Sequence, residues 1–139
     1  MVDLGNPVLK LCQDGMQAEA EGRPADARAL FEQAWAGRTD NYDACVAAHY
    51  LARQQDNPEE ILRWNQAALR HADAASDDKV AAFYPSLHVS VATAYERLGN
   101  TIAARAAFER AANHVAALPA DAYGEHLRAA IADGLRRLS

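Results

Sequence analysis

An all-α fold, an α-α superhelix of three helical hairpins closed by a C-terminal capping helix, is predicted by three observations. First, one pattern occurs three times. Gly22, Ala27, Phe31 and Ala34 are echoed by Asp56, Ile61, Asn65 and Ala68, and again by Gly99, Ala104, Phe108 and Ala111. The first step, from 22 to 56, is 34 residues, and the second, from 56 to 99, is 43, the same period lengthened by nine. Periods of this size mark helix–turn–helix units that cannot bury their apolar faces alone and stack to do so. Second, alanine dominates the 50% hydrophobic share while aromatics are only 7%. Alanine has the best helix propensity, and no Val/Ile/Thr-rich run supports a strand. Third, apolar residues recur at steps of three and four after each turn signal.

The elements follow in order within one domain, residues 1–139, with repeats at about 8–38, 42–74 and 77–118 and a capping helix at 121–138. The first helix starts near Pro7, which suits an opening turn, and runs to about Ala20 with Leu11, Gly15 and Ala18 on one stripe. Gly22 ends it in the left-handed conformation open to glycine. Pro24 opens the second helix, whose stripe is Ala27, Leu30, Phe31 and Ala34. Thr39 or Asp40 caps the third, which extends to about Gln54 and carries Cys45, Ala48, His49 and Ala52 inward. Asp56-Asn57-Pro58 is a turn and helix start, with Glu59 and Glu60 at the positive end of the fourth helix. That helix buries Ile61, Trp64, Ala68 and Leu69.

The nine extra residues fall between Arg70 and Pro85. Ser76-Asp77-Asp78 reads as a cap for a fifth helix reaching Leu98, which Pro85 kinks or divides. Gly99-Asn100-Thr101 is the next turn. A sixth helix carries Ala104, Phe108, Ala111 and Val115 and stops near Leu118-Pro119. A seventh spans 121–138 with Tyr123, Leu127, Ile131, Leu135 and Leu138 on its stripe. Its other face is polar, which suits the cap that the open end of a stack requires.

The bulk numbers narrow the function classes. A net charge of −5 and a pI near 5.4 argue against nucleic-acid binding, which shows a basic face. The adjacent pair Arg136-Arg137 sits at a helix C-terminus, where cations favour the dipole. No apolar run approaches the 18 residues of a membrane span, and Met1 to Lys10 has no signal-peptide pattern. Cys12 and Cys45 are expected as buried free thiols of a cytoplasmic protein.

Tyr95-Glu96-Arg97-Leu98-Gly99-Asn100, followed by Ala104, Phe108 and Ala111, resembles a tetratricopeptide repeat. That family places a tyrosine four residues before a turn glycine, then small, aromatic and small residues in the second helix. The first copy is similar from Gly15 to Ala34, with Ala18 at the tyrosine position. The middle copy departs most, with Asp56 for the glycine and Asn65 for the aromatic, and Trp64 stands next to it to supply bulk. The resemblance covers residues 8–118. The lengthened second step resembles the longer repeats of the tetratricopeptide-like group, which includes bacterial regulators binding short peptides.

The resemblance implies a concave groove lined by the first helix of each repeat. By register its surface includes Met16, Glu19, Asp43, Tyr50, Arg53, Thr93, Glu96 and Arg97, positions off the packing stripes. Tyr50 and Arg53 share a face, and tyrosine and arginine are favoured interface anchors. Family members that grip the carboxylate end of chaperone tails use lysine and asparagine where this chain has Cys12, Met16 and Ser86, so that activity is not expected. Phe83 and Tyr84, beside Pro85 in the insertion, are candidates for a ligand pocket at the kink.

Enzyme chemistry finds little support. The five histidines (49, 71, 88, 114 and 126) show no spacing of three or four and no H-E-x-x-H, so no metal is expected. His49 and His88 read as core histidines with satisfied hydrogen bonds. There is no G-x-S-x-G turn, no phosphate-cradling glycine loop and no dinucleotide fingerprint, so neither catalytic residues nor a cofactor are expected. The function expected is a non-enzymatic interaction module that binds a peptide segment or partner protein in its groove. The alternative is a peptide or metabolite sensor with its pocket at the insertion, and an enzyme subunit ranks third. The capping helix offers a surface for a homodimer.

Overall fold

Helix starts are marked either by a side chain that satisfies otherwise unpaired backbone donors or by a proline in the opening turn. In the computed structural model, which describes residues 5–75 and 78–139, the Asn6 side chain accepts from the Val8 and Leu9 amides and opens α1 (Pro7–Ala20). Pro24 opens α2 (Pro24–Ala36). Asp40, rather than Thr39, caps α3 (Asn41–Arg53) by accepting from the Asp43 amide at 2.8 Å. Asn57 accepts from the Glu59 amide at the start of α4 (Pro58–Ala75). A four-residue helix, α5 (Asp78–Ala81), precedes α6 (Tyr84–Arg97). Asn100 caps α7 (Thr101–Ala112), a 3-10 turn follows at Val115–Ala117, and Asp121 caps α8 (Ala122–Arg137). Among the described residues the chain is all-α, with no strand.

The two outer repeats end their first helices in the same way. Gly22 and Gly99 have φ of 75° and 79°. The following residues, Arg23 and Asn100, donate their amides back to Ala18 and Tyr95 at 2.9 Å each. This left-handed closure favours glycine, which has no Cβ to clash. The middle repeat lacks it. There α3 runs out through a right-handed Gln54, and the Asp56 carbonyl accepts from Arg97 of α6 at 3.2 Å.

Packing is local in the chain. The dominant contacts join α1 to α2, α3 to α4 and α6 to α7, and each pair leans on the next through α2–α3, α4–α6 and α7–α8. The seam is made of alanines: Ala27, Ala34, Ala48, Ala68, Ala104 and Ala111 are all fully buried. Two phenylalanines anchor its ends. Phe31 is fully buried and lies so close to α1 that a Cβ at Gly15 would stand 2.4 Å from its ring. Phe108 is 1% exposed and meets Gly134 of α8 in the same way.

Of the two outcomes expected at Pro85, a kink or a division, the fifth helix shows the division, and three other expectations change. Pro85 falls at the opening turn of α6, where its missing N–H costs no helical bond, and the expected Ser76-Asp77 cap lies outside the described residues. The sixth helix ends at Ala112, and the 3-10 turn carries the chain to the buried Leu118. Tyr123 is 51% exposed, because the inner face of α8 is narrowed to Gly124, Leu127, Ile131 and Gly134. Trp64 does not take the place of an aromatic at position 65. Asn65 itself is buried, donating to the Ile61 carbonyl at 3.0 Å, while Trp64 turns toward the first repeat and meets Trp35 edge-on at 5.1 Å.

Cys12 and Cys45 are both buried free thiols, and burial is the first cause that pushes each up to about 12. The groups are chemically quiet at neutral pH.

Phe31→Ala is expected to cost about 3–5 kcal/mol in urea unfolding, because it empties the site between Gly15 and Tyr50. Asn65→Leu is expected to be neutral or to gain about 1 kcal/mol, since Asn65 Oδ1 is buried with no hydrogen-bond partner among the described residues. A large loss in the Asn65 variant would show that the amide specifies the packing of α4.

Candidate functional site

The first helices of the repeats carry most of the predicted groove residues, but not all of these face one surface. Met16 of α1 and Tyr50 of α3 line an open cavity of about 390 Å3, together with Leu9 and Cys12 of α1 and Tyr42 and Val46 of α3. Its far wall is the insertion, Lys79, Ala82 and Phe83. Phe83 packs on α3, its ring centroid 6.4 Å from Tyr42 and 6.2 Å from His49. The extra residues therefore close a groove between α1 and α3 that would otherwise be open on one side.

Tyr50 is held rigidly. Its ring stacks on Phe31 at 5.1 Å with the planes 10° apart. Burial raises its hydroxyl above the ordinary tyrosine range, and Cys12, Glu19 and Tyr123 add to the rise while Arg53 opposes it. Arg53 pairs with Glu19 at 3.2 Å, and Gln54 donates to the same carboxylate at 2.6 Å. Glu19 and Arg53 thus form one polar rim next to Tyr50. Met16, 42% exposed, is the accessible apolar side chain of the groove.

Asp43 is a correction. It is 2% exposed and does not face the groove. Its carboxylate accepts from the Asn6 side-chain amide at 2.8 Å, the Thr39 amide at 3.1 Å and the Thr39 hydroxyl at 2.9 Å. It ties the start of α1 to the start of α3. A buried carboxylate is stable only with such partners, and Asn6 and Thr39 both lie outside α3, beyond what the spacing within that helix encodes. Thr93, Glu96 and Arg97 lie apart from the cavity. The Thr93 hydroxyl donates to the Val89 carbonyl, Glu96 pairs with Arg137 of α8 at 2.9 Å, and Arg97 holds the Asp56 carbonyl. Two of these three brace neighbouring elements.

Phe83 and Tyr84, expected in one pocket, separate. Tyr84 lies in a second cavity of about 500 Å3 between α4, α6 and α7, with His88, Arg110 and His114. Its hydroxyl donates to the Asp73 carboxylate at 2.6 Å, and burial followed by that carboxylate pushes it up to about 12. Arg110 and Asp73 are new to the site, and His114, weighed in the sequence only as one of five possible metal ligands, joins them here. Residues 84 and 88 are four apart on α6, so that pair was visible as a helix face, whereas Arg110 lies on α7 and His114 just beyond its end at Ala112. Their meeting depends on the hairpin register.

The core histidines also differ from expectation. His49 Nδ1 is out of solvent reach with no hydrogen-bond partner among the described residues. Burial, then the Arg53 charge, pushes this group down to about 4. His88 is half-buried and lines the second cavity, so it is not a core residue and does not share a site with His49. Among the described residues no group of three or more His, Cys, Asp or Glu side chains is placed to hold a metal, and no helix is long and apolar enough to cross a membrane.

No family model, curated protein or solved structure matches this chain.

His49 generates a pH prediction. An unfolded histidine takes its proton near 6.5, whereas the folded group takes it near 4. Between these values the unfolded state binds more protons, so stability is complete above pH 6.5 and is lost as pH falls toward 4. The His49 contribution to that loss is about 3 kcal/mol. Urea unfolding from pH 7.5 to 4.5 is expected to show this decline. His49→Leu is expected to make it shallower, with the share of His88, which is also pushed down to about 4, remaining, and an unchanged slope in that variant would assign the decline to other groups. Asp43→Ala, which strips three hydrogen bonds from a buried position, is expected to cost about 2–3 kcal/mol at neutral pH by the same measurement.

Proposed function

We propose that this chain is a tetratricopeptide-like repeat array that acts by binding, without catalysis, and that its groove takes an extended peptide segment with a bulky apolar side chain as anchor. The superhelical reading rests on the three stacked hairpins, the left-handed glycines at Gly22 and Gly99, and the buried small–aromatic–small triplets around Phe31 and Phe108. Two buried free thiols suit a reducing, cytoplasmic setting.

The observation that carries the binding reading is the meeting of Met16, Tyr50 and Phe83 around one cavity of about 390 Å3. Two of these came from the groove register and the third from the insertion. The walls are apolar and aromatic, and the rim is polar, with Lys79 at one side and the Glu19–Arg53 pair beside Tyr50. An apolar anchor gains from burial in such a pocket, while the rim excludes water and sets orientation. Because Tyr50 is pre-stacked on Phe31, little side-chain entropy remains to be lost on binding.

A second reading is favoured by the dimensions alone. A cavity of this volume falls within the small-ligand range of about 300–1,000 Å3, so a sensor of a small apolar ligand is the alternative.

Selection from a random peptide library displayed on phage separates the two. Enriched peptides are expected to share one bulky apolar position, and Met16→Glu is expected to weaken them by about tenfold or more, equivalent to about 1.4 kcal/mol. Phe83→Ala is expected to act in the same direction with the helical circular-dichroism signal unchanged. Enriched peptides indifferent to both variants would place the binding surface elsewhere. Failure of enrichment together with thermal stabilisation by small apolar ligands would favour the sensor.

A further inference from the structure

The second cavity lies outside the groove and shares no lining residue with it. Three rings stand nearly parallel along its wall. Tyr84 lies 4.8 Å from His114 and 6.0 Å from His88, and the two imidazoles are 5.5 Å apart, with planes 17–19° from one another. The array joins α6 to the segment just after α7, and the Tyr84 hydroxyl anchors it to α4 through Asp73 at 2.6 Å. Arg110, near the end of α7, lines the same space. Among the described residues neither the Arg110 guanidinium nor the imidazole nitrogens of His88 and His114 form a hydrogen bond or ion pair with another side chain.

We propose that this cavity is a binding site for a small oxyanion, a phosphate or carboxylate group, held by Arg110 and the imidazoles of His88 and His114. The groups that face it are suited to that task. A guanidinium matches the planar geometry of two oxygens, and two imidazoles add donors once protonated. The one lining carboxylate, Asp73, is already engaged by the Tyr84 hydroxyl. Leu69 and Val91 supply an apolar floor, and Gln66 donates to the Tyr95 hydroxyl at 3.1 Å, which completes the polar wall. The stacked rings fix the imidazoles before any ligand arrives, so little ordering remains to be done on binding.

Occupancy is coupled to protonation. Burial, then His114 and Arg110, pushes His88 down to about 4, against a smaller opposing effect of Asp73. A bound anion counters the like charges and raises that value. By reciprocity, the anion binds more tightly as pH falls, by about tenfold for each unit that it raises His88. Tyr84, pushed up to about 12 by burial and Asp73, stays neutral throughout this range.

The experiment is a titration of the whole chain with inorganic phosphate and, separately, succinate, followed by the imidazole resonances of His88 and His114 at pH 5.5 and pH 7.5. Saturable shifts of both residues, with tighter binding at the lower pH, are expected for at least one anion. The anion that binds better identifies the preferred head group. Arg110→Met is expected to weaken binding by about tenfold or more while the helical signal is retained, since Arg110 is exposed. Arg105→Met, which removes the same charge from the same helix, is expected to leave it unchanged. Equal weakening in both variants would mean general surface attraction and would overturn the site. No saturable shift with either anion would overturn it as well. Neither result bears on the groove, whose test depends on Met16 and Phe83.

Discussion

The stack of Phe31 between α1 and Tyr50 is the contact on which the rest of this structure depends. The ring sits where a Cβ on Gly15 would be only 2.4 Å away, so α2 can approach α1 only because position 15 is glycine. On its other side it lies flat on Tyr50 of α3, 5.1 Å between centroids. One buried aromatic side chain thus sets the separation inside the first hairpin and the placement of the second hairpin. It also presents Tyr50 to the groove in a fixed orientation. Phe108 performs the closing version of this at the other end, against Gly134 of the capping helix. Between the two, alanine seams keep the helices near one another, with little freedom to slide because the interior is close-packed.

The insertion gives the array its particular shape. A regular stack would bring α6 directly after α4. Here α5 and Phe83 are placed first, and Phe83 packs on Tyr42 and His49 of α3. This has two consequences on opposite sides of one short segment. Phe83 walls the α1–α3 groove, and the next residue, Tyr84, faces the α4–α6–α7 cavity. Consecutive residues near a helix start point in well-separated directions, about 100° apart, so one break in the chain shapes two different spaces. His49 bears the cost of this packing, as a neutral imidazole with a buried nitrogen lacking a described partner.

Much of the fold was legible in the residues. Pro7, Pro24 and Pro58 open helices where the pattern places them, and Gly22 and Gly99 close them with positive φ. These are local effects, set by a missing N–H or a missing Cβ. The site was legible in part. Met16 and Tyr50 meet because steps of three and four do define helix faces, whereas Phe83, expected with Tyr84 in a separate pocket, joins them only through the course of the insertion. Asp43 misled, because a carboxylate at a helix start looks like a solvated charge until Asn6 and Thr39 are brought to it from the chain ends of two helices. Asn65 misled in the opposite sense. It occupies a core position that propensity would assign to an apolar group, and its nearer bulky neighbour Trp64 serves a different interface.

By itself the sequence determined the all-α class, the hairpin period, the helix starts and the buried small–aromatic–small faces. Each depends on interactions between residues a few positions apart, which spacing encodes directly. Tertiary structure alone decided which faces became surfaces: that the insertion would divide rather than bend, that Phe83 and Tyr84 would part, and that His88 and His114 would stack. Those outcomes depend on the register between helices distant in sequence. That register is carried by the packing of α3 on α4, α4 on α6 and α6 on α7.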